Sequence, residues 1–207
     1  MGLSFIKQEL HKYYQAITGE LPNIELIIDN PKGLTKFDDE YIIEIHSGVG
    51  YIKAIHERSL LLGVYKFFEC MGVVYVKPNQ EIIPKKPSSE MTLSFKGVPL
   101  NKHRIVCIEG SVSLEHVLGM IDFIPKLQMN GYFLQFQKPF TFFDRFYRKL
   151  NHPAKTGKPL SMETFDTMLD QILKEIEERG LIYHAVGHGW TAKLLGLPAI
   201  GWYDYSL

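Results

Sequence analysis

Two histidines and a tryptophan lie close together near the end of the chain. His184 and His188 are four residues apart, and Trp190 follows one glycine later. On a helix this spacing would place both imidazoles on one face as metal ligands, but Gly187 and Gly189 indicate a strand end and a loop. Because no third ligand is in view, a metal site is disfavoured and no cofactor is predicted. The favoured chemistry is hydrogen bonding from the imidazoles to a substrate, with Trp190 supplying an apolar face.

Two further polar residues stand at the ends of predicted strands. Glu109 ends an apolar strand that starts at Arg104, and Gln137 ends a strand that starts at Gly131. Glu109 is a candidate carboxylate for binding substrate hydroxyls, and the alternatives are an ion pair with Arg104 or a cap of the next helix. Gln137 is a candidate amide for the same hydroxyls, and it is equally suited to satisfy a neighbouring backbone group.

The elements that must position these residues alternate between strand and helix. The predicted elements are the strand 104–109, the helix Ser113–Gln128, the strand 131–137, the helix Ser161–Arg179 and the strand Leu181–Val186. Such alternation predicts a parallel sheet or barrel, in which working residues lie at the carboxyl ends of the strands. A complete (β/α)8 barrel needs about 250 residues, whereas 108 remain from residue 100 onward. Residues 103–207 are therefore predicted to form the first three βα units of a TIM-type barrel.

The first half has a different pattern. A helix with Ser4 as its N-cap is followed by three strands, a second helix from Glu57 and a further strand. The connection between the second and third strands is too short for a parallel pair, so these two strands form a hairpin. These elements predict a small α+β domain with a mixed sheet over residues 1–85, so that the whole chain belongs to the α/β class. Four prolines between Lys77 and Pro99 predict a linker over residues 86–102.

Composition restricts the partners. The chain has 23 lysines and arginines and 23 aspartates and glutamates. It therefore lacks the excess of positive charge that attracts nucleic acids or anionic membranes. The aromatic segment 140–150 is predicted to be an amphipathic helix that packs Phe142, Phe143 and Phe146 inward, in preference to a base-stacking platform. Cys70 and Cys107 are predicted to be buried, since their neighbours are apolar.

The lengths of the apolar runs in the sequence predict where the protein is located. No apolar run is long enough for a membrane span, and the N-terminus lacks the apolar core of a cleavable signal. We expect a cytoplasmic location, unless a signal peptide upstream of Met1 has been removed.

Residues 63–78 carry a resemblance to a known family. They read Gly-Val-Tyr-Lys-Phe-Phe-Glu-Cys-Met-Gly-Val-Val-Tyr-Val-Lys-Pro, and they resemble the N-terminal α/β domain of glycoside hydrolases of the α-glucuronidase and β-N-acetylhexosaminidase type. The resemblance covers roughly residues 3–85. The segment 178–190, with its Gly187-His188 turn, is similar to the opening of the barrel in related bacterial members of uncharacterised function.

The resemblance implies a carbohydrate-active protein whose general acid lies on a strand later than the three predicted here. Hydrolysis ordinarily needs two carboxyl groups about 5–10 Å apart, and Glu109 has no convincing partner on these strands. We therefore expect an N-terminal portion that is inactive alone, with a carbohydrate as its ligand and a homo-oligomer formed through the exposed barrel edge.

Two alternatives remain open. One is a carbohydrate-binding or assembly module without catalytic activity, which uses the 184–190 segment as its site. The other is a complete small hydrolase with Glu109 and His188 as acid and base, which requires both groups to reach one substrate position.

Overall fold

The structure, a computed structural model, describes residues 2–107, 113–136, 140, 143–144, 160–188 and 190–197. Its helices are Leu3–Thr18 (α1), Glu57–Cys70 (α2), Leu114–Lys126 (α3), Met162–Glu178 (α4) and Trp190–Leu194 (α5). Its strands are Asn23–Ile28 (β1), Tyr41–His46 (β2), Val49–Ala54 (β3), Val74–Lys77 (β4), Gln80–Ile82 (β5), Leu93–Gly97 (β6), Ile105–Cys107 (β7), Gly131–Phe136 (β8) and Ile182–His188 (β9). Within these ranges no helix is both long enough and apolar enough to cross a membrane.

A four-stranded mixed sheet of order β1-β3-β2-β6 forms the first half. β2 and β3 form the predicted antiparallel hairpin, and β1 joins β3 in parallel. In β2 the inward residues Tyr41, Ile43 and Ile45 are buried, while Glu44 and His46 are exposed. The inward side chains share one core with the apolar faces of α1 and α2. Each large side chain buried there stabilises the fold by about 1.5–3 kcal/mol.

The proline-rich segment predicted to be a linker contains a strand of this sheet. β6 pairs antiparallel with β2, with Gly97 opposite Tyr41 and Leu93 opposite Ile45. The linker prediction is therefore wrong for residues 93–97. The prolines lie outside β6, so they remove no hydrogen bond from its pairing with β2.

Local details at the helix ends also differ from the prediction. Gly2, rather than Ser4, is the N-cap of α1, and no side chain caps that end. Gly19 ends α1 in the left-handed conformation with φ 81°, as its position predicts. Cys70 and Cys107 are exposed, which corrects the prediction that they are buried.

The second half contains the predicted parallel strands, in the order β7-β8-β9. Tyr132 and Leu134 of β8 point toward α3 and α4 and pack with Phe165 and Ile172. The parallel βαβ units are thus confirmed. Among the described strands β7 and β9 are the outer ones, and the continuation of this sheet into a barrel stays a prediction.

The aromatic segment after β8 contributes to the same core where it is described. The rings of Phe140 and Phe143 meet the ring of Phe165 edge-on, at centroid distances of 5.5 and 5.7 Å. Phe142 and Phe146, which were predicted to pack inward, lie outside the described residues. Of the three phenylalanines predicted to pack inward, Phe143 is described and is buried in this core, as predicted.

Candidate functional site

The carboxyl ends of the three parallel strands meet at one edge of the second sheet. β7 ends at Cys107, and Phe136 at the end of β8 pairs with His188 at the end of β9. Trp190 begins α5 just beyond this edge. The topology therefore brings the backbones of His188 and Trp190 to the place where α/β proteins carry their sites.

Two of the predicted site residues cannot be placed at this edge from the structure. Glu109 and Gln137 lie outside the described residues, which end at Cys107 in β7 and at Phe136 in β8. By sequence Glu109 follows β7 by two residues and Gln137 follows β8 directly. Their proposed contacts with a substrate stay predictions.

His184 occupies a different position from the other predicted site residues. It pairs with Phe133 inside β9, four residues before the strand ends, because β9 extends to His188. Its ring meets the His103 ring edge-on at 5.6 Å and the Phe133 ring at 6.5 Å. Its Nε2 atom is buried and has no hydrogen-bond partner among the described residues.

The electrostatics of His184 favour the neutral imidazole. Burial lowers the pKa of His184, and the neighbouring His103 lowers it further. A neutral imidazole can donate one hydrogen bond and accept another, which suits a hydroxyl ligand. Because an extended strand rises about 3.3 Å per residue, the four-residue spacing to His188 is too long for one metal ion. In the described part of the chain no three His, Cys, Asp or Glu side chains form a metal site.

A buried carboxylate that the sequence analysis missed joins the two halves. Asp39, whose side chain is fully buried, accepts hydrogen bonds from Arg58 Nε at 2.9 Å and Arg104 Nη2 at 2.9 Å. Asn130 Nδ2 donates to the same carboxylate at 2.7 Å. Arg58 also donates to the backbone oxygen of Gly180 at 3.2 Å. The first half thereby holds the residues that precede β7, β8 and β9.

The same cluster shows how Arg104 is held. Among the described residues its charged partner is Asp39, while its Nε and Nη1 atoms donate to the backbone oxygens of Gln128 and Asn101. Arg104 therefore acts as a contact between the halves. The predicted ion pair between Glu109 and Arg104 stays a prediction, because Glu109 lies outside the described residues. Asp39 precedes Arg104 by 65 residues, so no local pattern could have paired them.

Asp39 also lies beside a serine and a histidine, the residue types of a hydrolytic triad. Ser59 Oγ is 3.0 Å from His56 Nδ1 and 3.3 Å from the Asp39 carboxylate. Ser59 is fully buried, so no substrate can reach its hydroxyl. The Ser59 backbone N–H donates to His56 Nδ1, which caps α2. The arrangement is a helix cap rather than a nucleophile.

A cleft of about 630 Å³ lies between the two halves on one side of this cluster. Its walls are Ile28, Lys36, His56, Glu57 and Arg58 from the first half and Leu173, Ile176, Glu177, Gly180, Leu181 and Tyr183 from the second. Aliphatic side chains can contact the C–H faces of a polar organic ligand, and the tyrosine and the two glutamates can hydrogen-bond to its hydroxyl groups. The cleft lies near the start of β9, away from the strand-end edge.

Comparison with known proteins gives a fold likeness. No family model and no curated protein sequence matches the chain. The structure is similar to that of a family 89 glycoside hydrolase from Clostridium perfringens, determined in complex with PUGNAc, with a TM-score of 0.54 and 12% sequence identity. The likeness covers 86% of this chain and 24% of that one, so this chain spans about a quarter of the neighbour's length. At this identity the likeness shows a shared fold alone.

Proposed function

We propose that this chain is the N-terminal portion of a glycoside-hydrolase-like protein. The whole protein acts on glycosidic bonds, and these 207 residues alone do not hydrolyse them. The observation that carries the proposal is the likeness to the family 89 enzyme, which extends over both halves of the chain. The stretch 63–78, which resembles the α-glucuronidase and β-N-acetylhexosaminidase type, supports the same assignment independently.

The chemistry available at the strand-end edge explains the expected lack of turnover. Among the described residues, the three parallel strands end at Cys107, Phe136 and His188, none of which is a carboxylic acid. Glu109 would supply one carboxylate beyond this range. Because hydrolysis needs an acid and a second carboxylate on opposite sides of the bond, this edge is suited to hold a sugar rather than to cleave its linkage.

In this proposal the predicted residues at the strand-end edge have binding roles. His188 offers imidazole nitrogens to hydroxyls, Glu109 and Gln137 accept or donate hydrogen bonds, and Trp190 stacks on the C–H face of a pyranose ring. His184, which lies four residues before the end of β9 with its Nε2 atom buried, does not contact this sugar. No metal or organic cofactor takes part.

Turnover and binding by the purified 207-residue protein test the proposal together. We expect no hydrolysis of p-nitrophenyl glycosides of N-acetylglucosamine or glucuronic acid. Calorimetric titration with N-acetylglucosamine, glucuronate or PUGNAc should show saturable binding. That binding should weaken about tenfold or more in Trp190→Ala and stay unchanged in His11→Ala, an exposed residue of α1. Robust hydrolysis would refute the inactive-portion proposal, and the absence of binding to every probe would refute the saccharide site.

The cleft between the halves supports a second candidate function, a carbohydrate-binding module without catalysis. It is preformed, because Arg58 ties Lys36 in one wall to Gly180 in the other through their backbone oxygens, at 2.6 and 3.2 Å. Saccharide binding that is lost in Glu177→Gln and retained in Trp190→Ala would favour this candidate. The reverse pattern favours the strand-end edge.

We further propose that the chain self-associates through its second sheet. β7 and β9 are the outer strands of that sheet among the described elements, and an open strand edge offers unpaired backbone groups to another chain. Sedimentation over a range of concentrations should show a dimer in equilibrium with the monomer. A single monomeric species at all concentrations would contradict this assembly.

A further inference from the structure

A small cavity lies on the outer face of the first sheet. Its volume is about 150 Å³, and the loop 29–32 forms one wall. Ile42 of β2, Pro31 and Ile55 are apolar residues of its lining. Because drug-sized ligands occupy cavities of about 300–1,000 Å³, this cavity suits a ligand no larger than a monosaccharide.

The loop that walls the cavity is held by its own hydrogen bonds. Asn30 Oδ1 accepts the Leu34 N–H and Asn30 Nδ2 donates to the Leu34 oxygen, both at 2.9 Å. The Asp29 N–H donates to the Ala54 oxygen at 2.9 Å, which fixes the loop to the end of β3. The cavity therefore exists without a ligand, and binding need not order the loop.

Strand register places one lysine on either side of Ile42. Ile42 lies opposite Lys53 of β3 and opposite Lys96 of β6. Directly opposed residues of antiparallel strands project from the same face of the sheet. Both ammonium groups therefore extend from the outer face, flanking Ile42.

The charges around the cavity do not balance. Lys32, Lys53 and Lys96 line it together with the carboxylates of Asp29 and Glu40, an excess of one positive charge. Lys32 pairs with Glu40 at 2.9 Å and Lys53 with Asp29 at 3.4 Å. Within the part of the chain that the structure describes, Lys96 has no ion-pair partner. Exposed pairs of this kind are weak, so a ligand can exchange with them.

These features combine three recognition chemistries in one small space. The lysines attract anionic oxygens, the carboxylates accept hydrogen bonds from hydroxyl groups, and Ile42 contacts an aliphatic surface. We propose that this cavity binds a monosaccharide that carries an anionic group, either a carboxylate or a phosphate. The site lies in the first sheet and is independent of the proposed action on glycosidic bonds.

Nuclear magnetic resonance titration of the full 207-residue protein tests the proposal. The probes are glucuronate, glucose 6-phosphate, neutral glucose and inorganic phosphate. We expect saturable shifts of the amides of Asp29, Ile42, Lys53 and Lys96 with at least one of the two anionic sugars. The stronger of the two identifies the anionic group as carboxylate or phosphate, and glucose should bind weakly or not at all.

Matched charge variants make the test specific. Lys96→Gln should weaken binding of the anionic sugar about tenfold, the expected effect of losing one charge-assisted hydrogen bond. Lys7→Gln makes the same change of net charge on an exposed position of α1 and should bind like the wild type. Equal weakening in both variants, no shift of the four cavity amides with either anionic sugar, or inorganic phosphate binding as tightly as either sugar would overturn the proposal.

Discussion

Asp39 is a buried carboxylate that contacts both halves of the chain. Its carboxylate is fully buried between two arginines that belong to different halves of the chain. A buried charge is tolerated only when it is paired and hydrogen-bonded, and here Asn130 and Ser59 supply the remaining donors. Removal of this one negative charge leaves both guanidinium groups without their shared counter-ion.

Asp39→Asn should therefore destabilise the protein strongly. Breaking a buried ion pair costs about 3–5 kcal/mol, and chemical denaturation measures that loss directly. Glu44→Gln is the matched control, because Glu44 is exposed and bonds only Ser94 Oγ among the described residues. If the two variants lose similar free energy of unfolding, Asp39 does not have the role assigned to it.

His56 should make stability depend on pH. Burial lowers the pKa of His56 below its ordinary value of 6.5, and the adjacent Arg58 lowers it further. The unfolded chain then binds a proton more readily than the folded one, so the free energy of unfolding is highest above about pH 6.5. It falls as the pH drops from there through the folded pKa.

Denaturation at several pH values, for the wild type and for His56→Asn, isolates this contribution. Asparagine retains a side-chain acceptor that can cap α2 but does not titrate. The stability advantage of the wild type over the variant should shrink as the pH falls below about 6.5. Parallel pH profiles for the two proteins would show that His56 does not titrate differently on folding.

At the scale of elements, β6 depends on one close contact. A Cβ atom at Gly97 would overlap the ring of Tyr41, which lies directly opposite in β2. Tyr41 cannot easily move, because it is buried and its hydroxyl donates to Gln128 Oε1 at 2.7 Å. The glycine is thus required by packing rather than by a turn.

Gly97→Ala should destabilise the protein by about 1–3 kcal/mol, the usual cost of overpacking a core. Thermal or chemical denaturation provides the measurement. Ser94→Ala, on the exposed face of the same strand, should have little effect. If Gly97→Ala leaves the free energy of unfolding unchanged, β6 does not pair with β2 in solution.

An element with a strong apolar periodicity, such as α4, was predictable from its own residues, whereas β6, which pairs with a distant strand, was not. α4 has a capping serine, one apolar face and a terminal glycine, so residues 161–180 specify it locally. β6 is short and lies among prolines, and only its contacts with β2, more than 45 residues away, make it a strand. Propensity cannot report such tertiary pairing.

Some features of the candidate site were predictable from the sequence and others were not. The strand-end position of His188 and Trp190 follows from βαβ alternation, which is visible in sequence. The cleft and the Asp39 cluster arise from contacts between distant segments, with Asn130 lying 91 residues from Asp39. Neither has a local pattern that could have indicated it.

At the scale of the whole molecule, a second buried cluster supports the junction of the halves. Lys126 of α3, which is 4% exposed, lies between Asp122 of its own helix and Glu81 of β5, at 2.5 and 2.6 Å. Tyr13 of α1 donates to the same Glu81 carboxylate at 2.7 Å. Both clusters connect charged groups across the junction, so opening it would expose two sets of buried charges.

We therefore expect the two halves to unfold in one transition. Circular dichroism, which reports helices in both halves, and tyrosine fluorescence should give coincident denaturation curves. In Asp39→Asn the curves should separate, because the junction loses one cluster. Separate transitions in the wild type would show that the halves are energetically independent.

The most direct test of the carbohydrate assignment is a saccharide titration of the wild-type chain, followed by backbone amide shifts. With N-acetylglucosamine, glucuronate and PUGNAc as probes, we expect saturable shifts at the strand-end edge, centred on Phe136, His188 and Trp190, without release of hydrolysis products. Shifts confined to Glu57, Glu177 and Tyr183 would transfer the site to the cleft. Hydrolysis of a glycoside would refute the proposed lack of turnover, and no shift with any of the three probes would refute the saccharide site.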